Sequence, residues 1–130
     1  MKRILITGIT LCWMWLSGCV KDDTLIIKPI PVVVTKTLSF AKDLDPLLTA
    51  NCAVSGCHAT GGHNPNLMPD KAYNSLIAGK YVDTHNPTGS IIYERLTGVL
   101  SPAMPMGRTP NPGNIDGIVL AWIKQGAKDN

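Results

Sequence analysis

Two cysteines followed directly by a histidine form the stretch of the chain with the clearest chemical meaning. Four residues separate Cys52 from Cys57, and His58 comes directly after the second cysteine. Each thiol can add to one vinyl group of haem as a thioether, and the adjacent imidazole can then bind the iron. The arrangement therefore predicts one covalently attached haem c, linked through Cys52 and Cys57, with His58 as an axial ligand.

A second axial ligand to the iron would come from a methionine on a loop. Met104 lies in the irregular, proline-rich stretch 101–107, from which a thioether can reach a metal while the prolines stiffen the backbone. We predict Met104 as this ligand, with Met106 as the alternative. The other interpretation of Met106 is a hydrophobic wall over the edge of the haem.

Other residues have side chains that could bind the iron or a haem propionate, but simpler interpretations are available for them. Met68 is interpreted as a packing residue near the second helix, and His85 as a residue of a surface turn. His63 is interpreted as a loop histidine in solvent or a donor to a haem propionate. Arg95 and Arg108 could also reach propionates. Ligation of the iron by a second histidine is the minority hypothesis, and it would give a lower reduction potential than methionine.

The N-terminal residues have the features of an export signal. Lys2 and Arg3 precede an apolar run over residues 4–16, which is too short to cross a bilayer as a stable helix. Residues 16–19, Leu-Ser-Gly-Cys, resemble the cleavage box of bacterial lipoproteins. We therefore expect a signal peptide over 1–18, lipidation of Cys19, and a lipidated tether over 19–37. Cys12 would be lost with the signal.

This processing predicts a lipid anchor in a bacterial membrane. The short charged sequence at 21–23, Lys-Asp-Asp, resembles the signal that sends some lipoproteins to the outer face of the outer membrane. We expect the protein at the outer membrane, either facing the periplasm or exposed at the surface.

Composition argues against several other classes of function. The net charge of the full chain is +3, of which Lys2 and Arg3 supply two, and there is no basic run with interleaved aromatic residues. Nucleic acid is therefore not an expected partner. The chain has neither a nucleophile–base arrangement nor a phosphate-binding glycine motif, so an electron carrier is favoured over an enzyme.

Helical signals predict an all-α domain over residues 38–128. A first helix starts near Asp43 or Asp45 and runs into Cys52. A second spans 70–79 with Asp70 as its cap, and a third spans 90–98. A last helix begins after Asn114, and Gly117 is expected to let another helix approach closely. Its apolar stripe has helical spacing: Ile115, Ile118, Val119, Trp122 and Ile123.

These pieces together resemble a class I c-type cytochrome of the short bacterial lipoprotein and planctomycete-type group. The similarity covers residues 38–128 and is carried by segments 40–46, 51–58, 93–96, 104–105 and 122–127. It implies a small cytochrome c-like fold of about four short helices, with long Pro/Gly-rich loops around a covalent haem. It also implies thioethers at Cys52 and Cys57, iron ligation by His58 and Met104, and a crossing of the first and last helices.

The leading hypothesis is a membrane-anchored, single-haem cytochrome that carries electrons between redox proteins. One alternative is a haem-based sensor or ligand-binding module with an open or labile sixth position. Another is a structural lipoprotein without haem, in which Cys52 and Cys57 form a disulfide and His58 is incidental.

Overall fold

The computed structural model describes residues 34–107 and 111–130. The predicted signal peptide, Cys19, most of the tether and Arg108 lie outside the described residues. Within the two described ranges, no helix is both long enough and apolar enough to cross a membrane.

Within those ranges all regular structure is helical, as the sequence predicts. A π-helical segment spans Phe40–Leu44. It is followed by four short α-helices: α1 (Asp45–Asn51), α2 (Ala72–Ala78), α3 (Ile91–Thr97) and α4 (Ile115–Lys124). Two single 3₁₀ turns, Pro87–Gly89 and Pro112–Asn114, precede α3 and α4. The all-α prediction with about four short helices is confirmed for the part of the chain that the structure describes.

The first helical region begins earlier than predicted. Ser39 Oγ accepts a hydrogen bond from Lys42 N at 3.2 Å, and Asp43 Oδ2 accepts one from Ser39 N at 2.8 Å. This reciprocal pair caps the free N–H groups of the π-helical segment. The segment runs directly into α1, with Pro46 in the first turn, and α1 ends at Cys52. Cys52 therefore lies at the C-terminal end of the helix, as predicted.

The predicted cap of α2 is wrong. Asp70 has a φ of 65°, the helix begins at Ala72, and Lys71 occupies the N-cap position without a side-chain hydrogen bond. With this backbone conformation, Asp70 lies outside the helix as part of the turn that precedes it. For α3 the predicted ends are confirmed, since Ser90 is the N-cap residue and Gly98 the C-cap. Gly98 takes a φ of 78°, which glycine adopts without the steric cost of a side chain.

The last helix follows its predicted stripe, but Gly117 has a different role from the one expected. Ile115, Val119, Trp122 and Ile123 are buried, and Ile118 packs at the margin of the core. A side chain at position 117 would meet the amide of Asn114 rather than another helix. The expectation of a close helix–helix approach at Gly117 is therefore wrong.

The core lies where α4 packs on α3 and on the π-helical segment. Trp122 of α4 is at its centre, with ring centroids 5.2 Å from Phe40 and 6.3 Å from Tyr73. Phe40 and Tyr73 meet edge to face at 5.3 Å. These rings join three helical segments, since each comes from a different one.

Candidate cofactor site

A cavity of about 670 Å³ opens between the end of α1, the loop that follows it, α3 and the loop 102–106. Its volume is in the range of pockets that hold cofactors and drug-sized ligands. All the haem-site residues predicted within the described ranges line it: Cys52, Cys57, His58, Met104 and Met106. Residues up to 54 positions apart in the sequence are thus brought to one cavity.

Backbone hydrogen bonds form the loop that carries the two cysteines. Cys52 N donates to Leu48 O at 2.8 Å, which ends α1, and Cys57 N donates to Val54 O at 3.0 Å, which closes a tight turn. His58 N then donates to Cys52 O at 3.2 Å. These bonds keep the two cysteines and the histidine on one compact loop at the cavity wall.

Both thiols are free and partly buried. Burial is the main factor that raises the pKa of the Cys52 thiol, from its ordinary value of 9.0 to about 11, and the neighbouring Cys57 thiol adds to the shift. Cys52 is therefore a neutral thiol at neutral pH. Its side chain also packs against the hydrophobic core, which fixes its position more firmly than that of a surface cysteine.

The imidazole of His58 is oriented by two backbone carbonyls. Its Nδ1 lies 3.1 Å from His63 O and 3.0 Å from Pro65 O. Because a carbonyl oxygen can only accept, Nδ1 carries a hydrogen, and in the neutral form of the ring the free lone pair is therefore on Nε2. Fixing a histidine through one nitrogen while the other binds a metal is the usual arrangement of a metal ligand.

The loop that holds the His58 ring is closed by its own backbone. His63 N donates to Cys57 O at 2.6 Å, and Leu67 N donates to His58 O at 2.8 Å. Gly62 lies so close to the Cys57 carbonyl that a Cβ there would collide with it. A residue without a side chain is therefore required where the loop folds back over the cysteine motif.

The two candidate methionines differ in how firmly they are held. Met104 is partly buried, and its N–H donates to Arg95 O of α3 at 2.8 Å. Met106 is 65 % exposed. Both line the cavity, but Met104 is the one whose backbone is bonded to a helix of the core.

The remaining cavity wall is mostly apolar. Leu48, Leu67, Ile92 and Leu96 come from the hydrophobic core, and Tyr81 packs at its margin. Arg95 is the only lining residue, among those described, with a permanent charge. An apolar body with one cationic group suits a flat apolar ligand that carries an anionic substituent.

Three other residues discussed above do not line the cavity. The side chain of His85 is 99 % exposed in a surface turn, as predicted. Met68 is partly buried just before α2 and does not line the cavity. Trp122 belongs to the core and also lies away from the cavity wall.

Sequence reasoning missed the role of the segment after the cysteine–histidine motif. The carbonyls of His63 and Pro65 hold the His58 ring, whereas only the side chain of His63 was considered from the sequence. The signal present in the sequence is the Gly-Gly-His-Asn-Pro run at 61–65, which predicts a tight loop directly after His58. The sequence does not show which carbonyls of this loop approach the His58 ring, because that depends on the three-dimensional path of the loop.

Among the described residues, no group of three or more His, Cys, Asp or Glu side chains is arranged to hold a metal ion. No protein-family model, curated protein or solved structure matches the chain.

Proposed function

We propose that this protein is a single-haem c-type cytochrome that carries electrons at a bacterial membrane. The observation that supports the proposal most strongly is the convergence of Cys52, Cys57, His58 and Met104 on one apolar cavity. The cysteine–histidine motif and the methionine loop were selected from the sequence by their chemistry. Their shared position in the fold is independent support.

The residues present suit a covalently bound haem. Cys52 and Cys57 would hold its two vinyl groups, His58 would bind the iron through Nε2, and Met104 would supply a thioether sulfur. The apolar wall suits the ring, and Arg95 suits a propionate. When bound, haem supplies a one-electron couple between ferrous and ferric iron.

The protein's own residues would stabilise and tune that couple. The carbonyls of His63 and Pro65 fix the tautomer of His58 and the orientation of its ring. The apolar wall would exclude water from the cofactor, and the access of water is one of the determinants of a reduction potential. Because His58 and Met104 would both remain bound to the iron, electron transfer would require little rearrangement of the protein, and no substrate would need to enter the site.

The lipid anchor is part of the same proposal. Lipidation of Cys19 would hold the domain at the membrane, and the tether 19–37 could extend at most roughly 60 Å at about 3.3 Å per residue. The partners would therefore be redox proteins at or near the same membrane surface. The outer membrane is the proposed location.

The test uses the protein produced in a host that has haem-attachment machinery. A red protein whose ferrous form does not bind carbon monoxide at neutral pH would support an electron carrier with both axial positions filled. Rapid binding of carbon monoxide would instead favour a haem-based sensor. A folded, colourless protein with a Cys52–Cys57 disulfide would contradict the cytochrome proposal and favour a structural lipoprotein.

A further inference from the structure

Arg95 contacts the methionine-bearing loop through both its backbone and its side chain. We propose that Arg95 is a positioning residue that fastens this loop to α3 and so holds the Met104 thioether on the iron. The inference rests on the proposed function, because it concerns the sixth ligand of the haem. It assigns Arg95 a structural contact with the loop, made by one guanidinium N–H, in addition to the propionate role proposed above.

The contacts lie along the last turn of α3. Arg95 O accepts hydrogen bonds from Gly98 N at 3.3 Å and from Met104 N at 2.8 Å. One guanidinium N–H of Arg95 donates to Pro102 O at 3.2 Å. A single residue therefore holds the loop just before Met104 and at Met104 itself.

The helix that carries Arg95 is fixed in the core. Ile92 and Leu96 of α3 are buried, and α3 packs against α4. Farther along the chain, at the start of the second described range, Asn111 Nδ2 donates to Leu96 O at 3.2 Å, and Asn111 Oδ1 accepts from Asp116 N at 3.3 Å. Residues in both described ranges are thus bonded to α3, and the guanidinium of Arg95 is a side-chain contact on the Met104 side.

This contact matters for ligation because a loop methionine must stay in place against competing ligands. Any loosening of the loop lowers the fraction of molecules in which the thioether is bound, and an external ligand then binds more tightly in proportion. The bond to Pro102 is exposed to solvent, so its net contribution is modest. We expect its loss to change ligand affinity about threefold to tenfold.

The experiment titrates the oxidised, haem-loaded protein with imidazole and follows the weak far-red absorption band of iron–methionine coordination. R95A removes the guanidinium but keeps the backbone acceptor for Met104. We expect R95A to bind imidazole about threefold to tenfold more tightly than the wild type. R95K keeps the positive charge but lacks the planar guanidinium. Its affinity for imidazole should therefore lie between those of the wild type and R95A. R95K also provides the test if R95A fails to fold.

Q125A is the matched control for a general loss of stability. Gln125 lies at the end of α4 and bonds to Lys36 and Leu38, remote from the cavity lining. Q125A should lower stability and leave imidazole affinity unchanged. If R95A and R95K both bind imidazole as the wild type does, the inference is overturned while the cytochrome proposal stands.

Two possible results on the wild-type protein would also overturn the proposed role of Arg95. A red protein without the far-red band would overturn the role of Arg95, because Met104 would not be the ligand, but it would leave covalent haem intact. A colourless wild type would overturn both the inference and the proposed function.

Discussion

His58 has one nitrogen available for a metal because its other nitrogen is held by two carbonyls. Cys52 is a neutral, partly buried thiol at the end of α1, and Met104 is bonded to α3 through its N–H. Each of these residues could be selected from its type and its sequence context. The bonds of His58 and Met104 could not be predicted, because they depend on how the loops after α1 and α3 fold against the rest of the molecule.

If the protein binds haem as proposed, the two methionines of the loop should differ in their effect on the iron. Leucine keeps the volume of methionine but lacks the sulfur, so M104L should lose the far-red band and gain carbon monoxide binding in the ferrous form. M106L, which alters a residue that is 65 % exposed, should retain the wild-type spectrum. Spectra of the two variants with and without carbon monoxide check this. Loss of the band in M106L alone would assign the ligand to Met106.

The raised pKa of Cys52 predicts the pH dependence of its reactivity in the haem-free protein. Only the thiolate reacts with iodoacetamide, so the rate at Cys52 should rise about tenfold per pH unit. Burial keeps the thiol protonated, so in the folded protein this rise should continue from pH 9.0 towards about 11. In denaturant it should level off near the ordinary pKa. Peptide mass spectrometry separates Cys52 from Cys57, and a plateau at the same pH in both solutions would contradict the prediction.

At the scale of elements, periodicity was more informative than capping residues. The stripe of α4 predicts the buried face correctly, because the spacing of apolar residues reflects the same core that the helix packs against. The caps are less predictable. Asp70 belongs to the turn before α2, and the hydroxyl of Ser90 bonds to both the N–H and the carbonyl of Asp83 rather than to its own helix. A short polar side chain takes whichever backbone group tertiary packing brings near it.

Side-chain hydrogen bonds join the end of α4 to the residues that precede the π-helical segment. Gln125 Oε1 accepts from Leu38 N at 2.8 Å, and its Nε2 donates to Lys36 O at 3.1 Å. Asn130 Oδ1 accepts from Phe40 N at 3.0 Å. These contacts connect residues about ninety positions apart and hold the two ends of the described domain together.

Replacing Gln125 should therefore destabilise the domain without changing the candidate cofactor site. Q125A removes two hydrogen bonds, each with a net contribution of about 0.5–1.5 kcal/mol, so the free energy of unfolding should fall by roughly 1–3 kcal/mol. K124A, which alters the exposed neighbour in α4, is the matched control and should change stability by less than about 0.5 kcal/mol. Denaturant unfolding measures both. Equal stability of the two variants would contradict the role of Gln125.

At the scale of the whole molecule, the sequence predicts which residues carry the chemistry but not the cavity that collects them. Its walls come from residues 48–67, 81–96 and 102–106, and their closure depends on α3 packing against α4. The all-α class follows from local patterns, whereas the relation between the cysteine loop and the methionine loop is a long-range property. That relation is the one on which the proposed function depends.

The proposed anchor gives a prediction for the full chain. Two kinds of acyl attachment on Cys19 would give stable membrane binding, so the wild type should incorporate labelled fatty acid and C19S should not. C12S alters a cysteine that the proposed cleavage removes, and it should be labelled as the wild type is. Growth of the bacterial host with labelled palmitate, followed by immunoprecipitation, measures both. Labelling of C19S at the level of the wild type would contradict lipid anchoring at this residue.

The central claim is that Cys52 and Cys57 bind one haem covalently. The most direct test is the intact mass of the denatured protein, produced with haem-attachment machinery, for the wild type and the C52S/C57S double variant. We predict that the wild type retains the added mass of one haem after denaturation and that the double variant has the mass of its polypeptide alone. A wild-type mass equal to that of the bare polypeptide would contradict the proposed function.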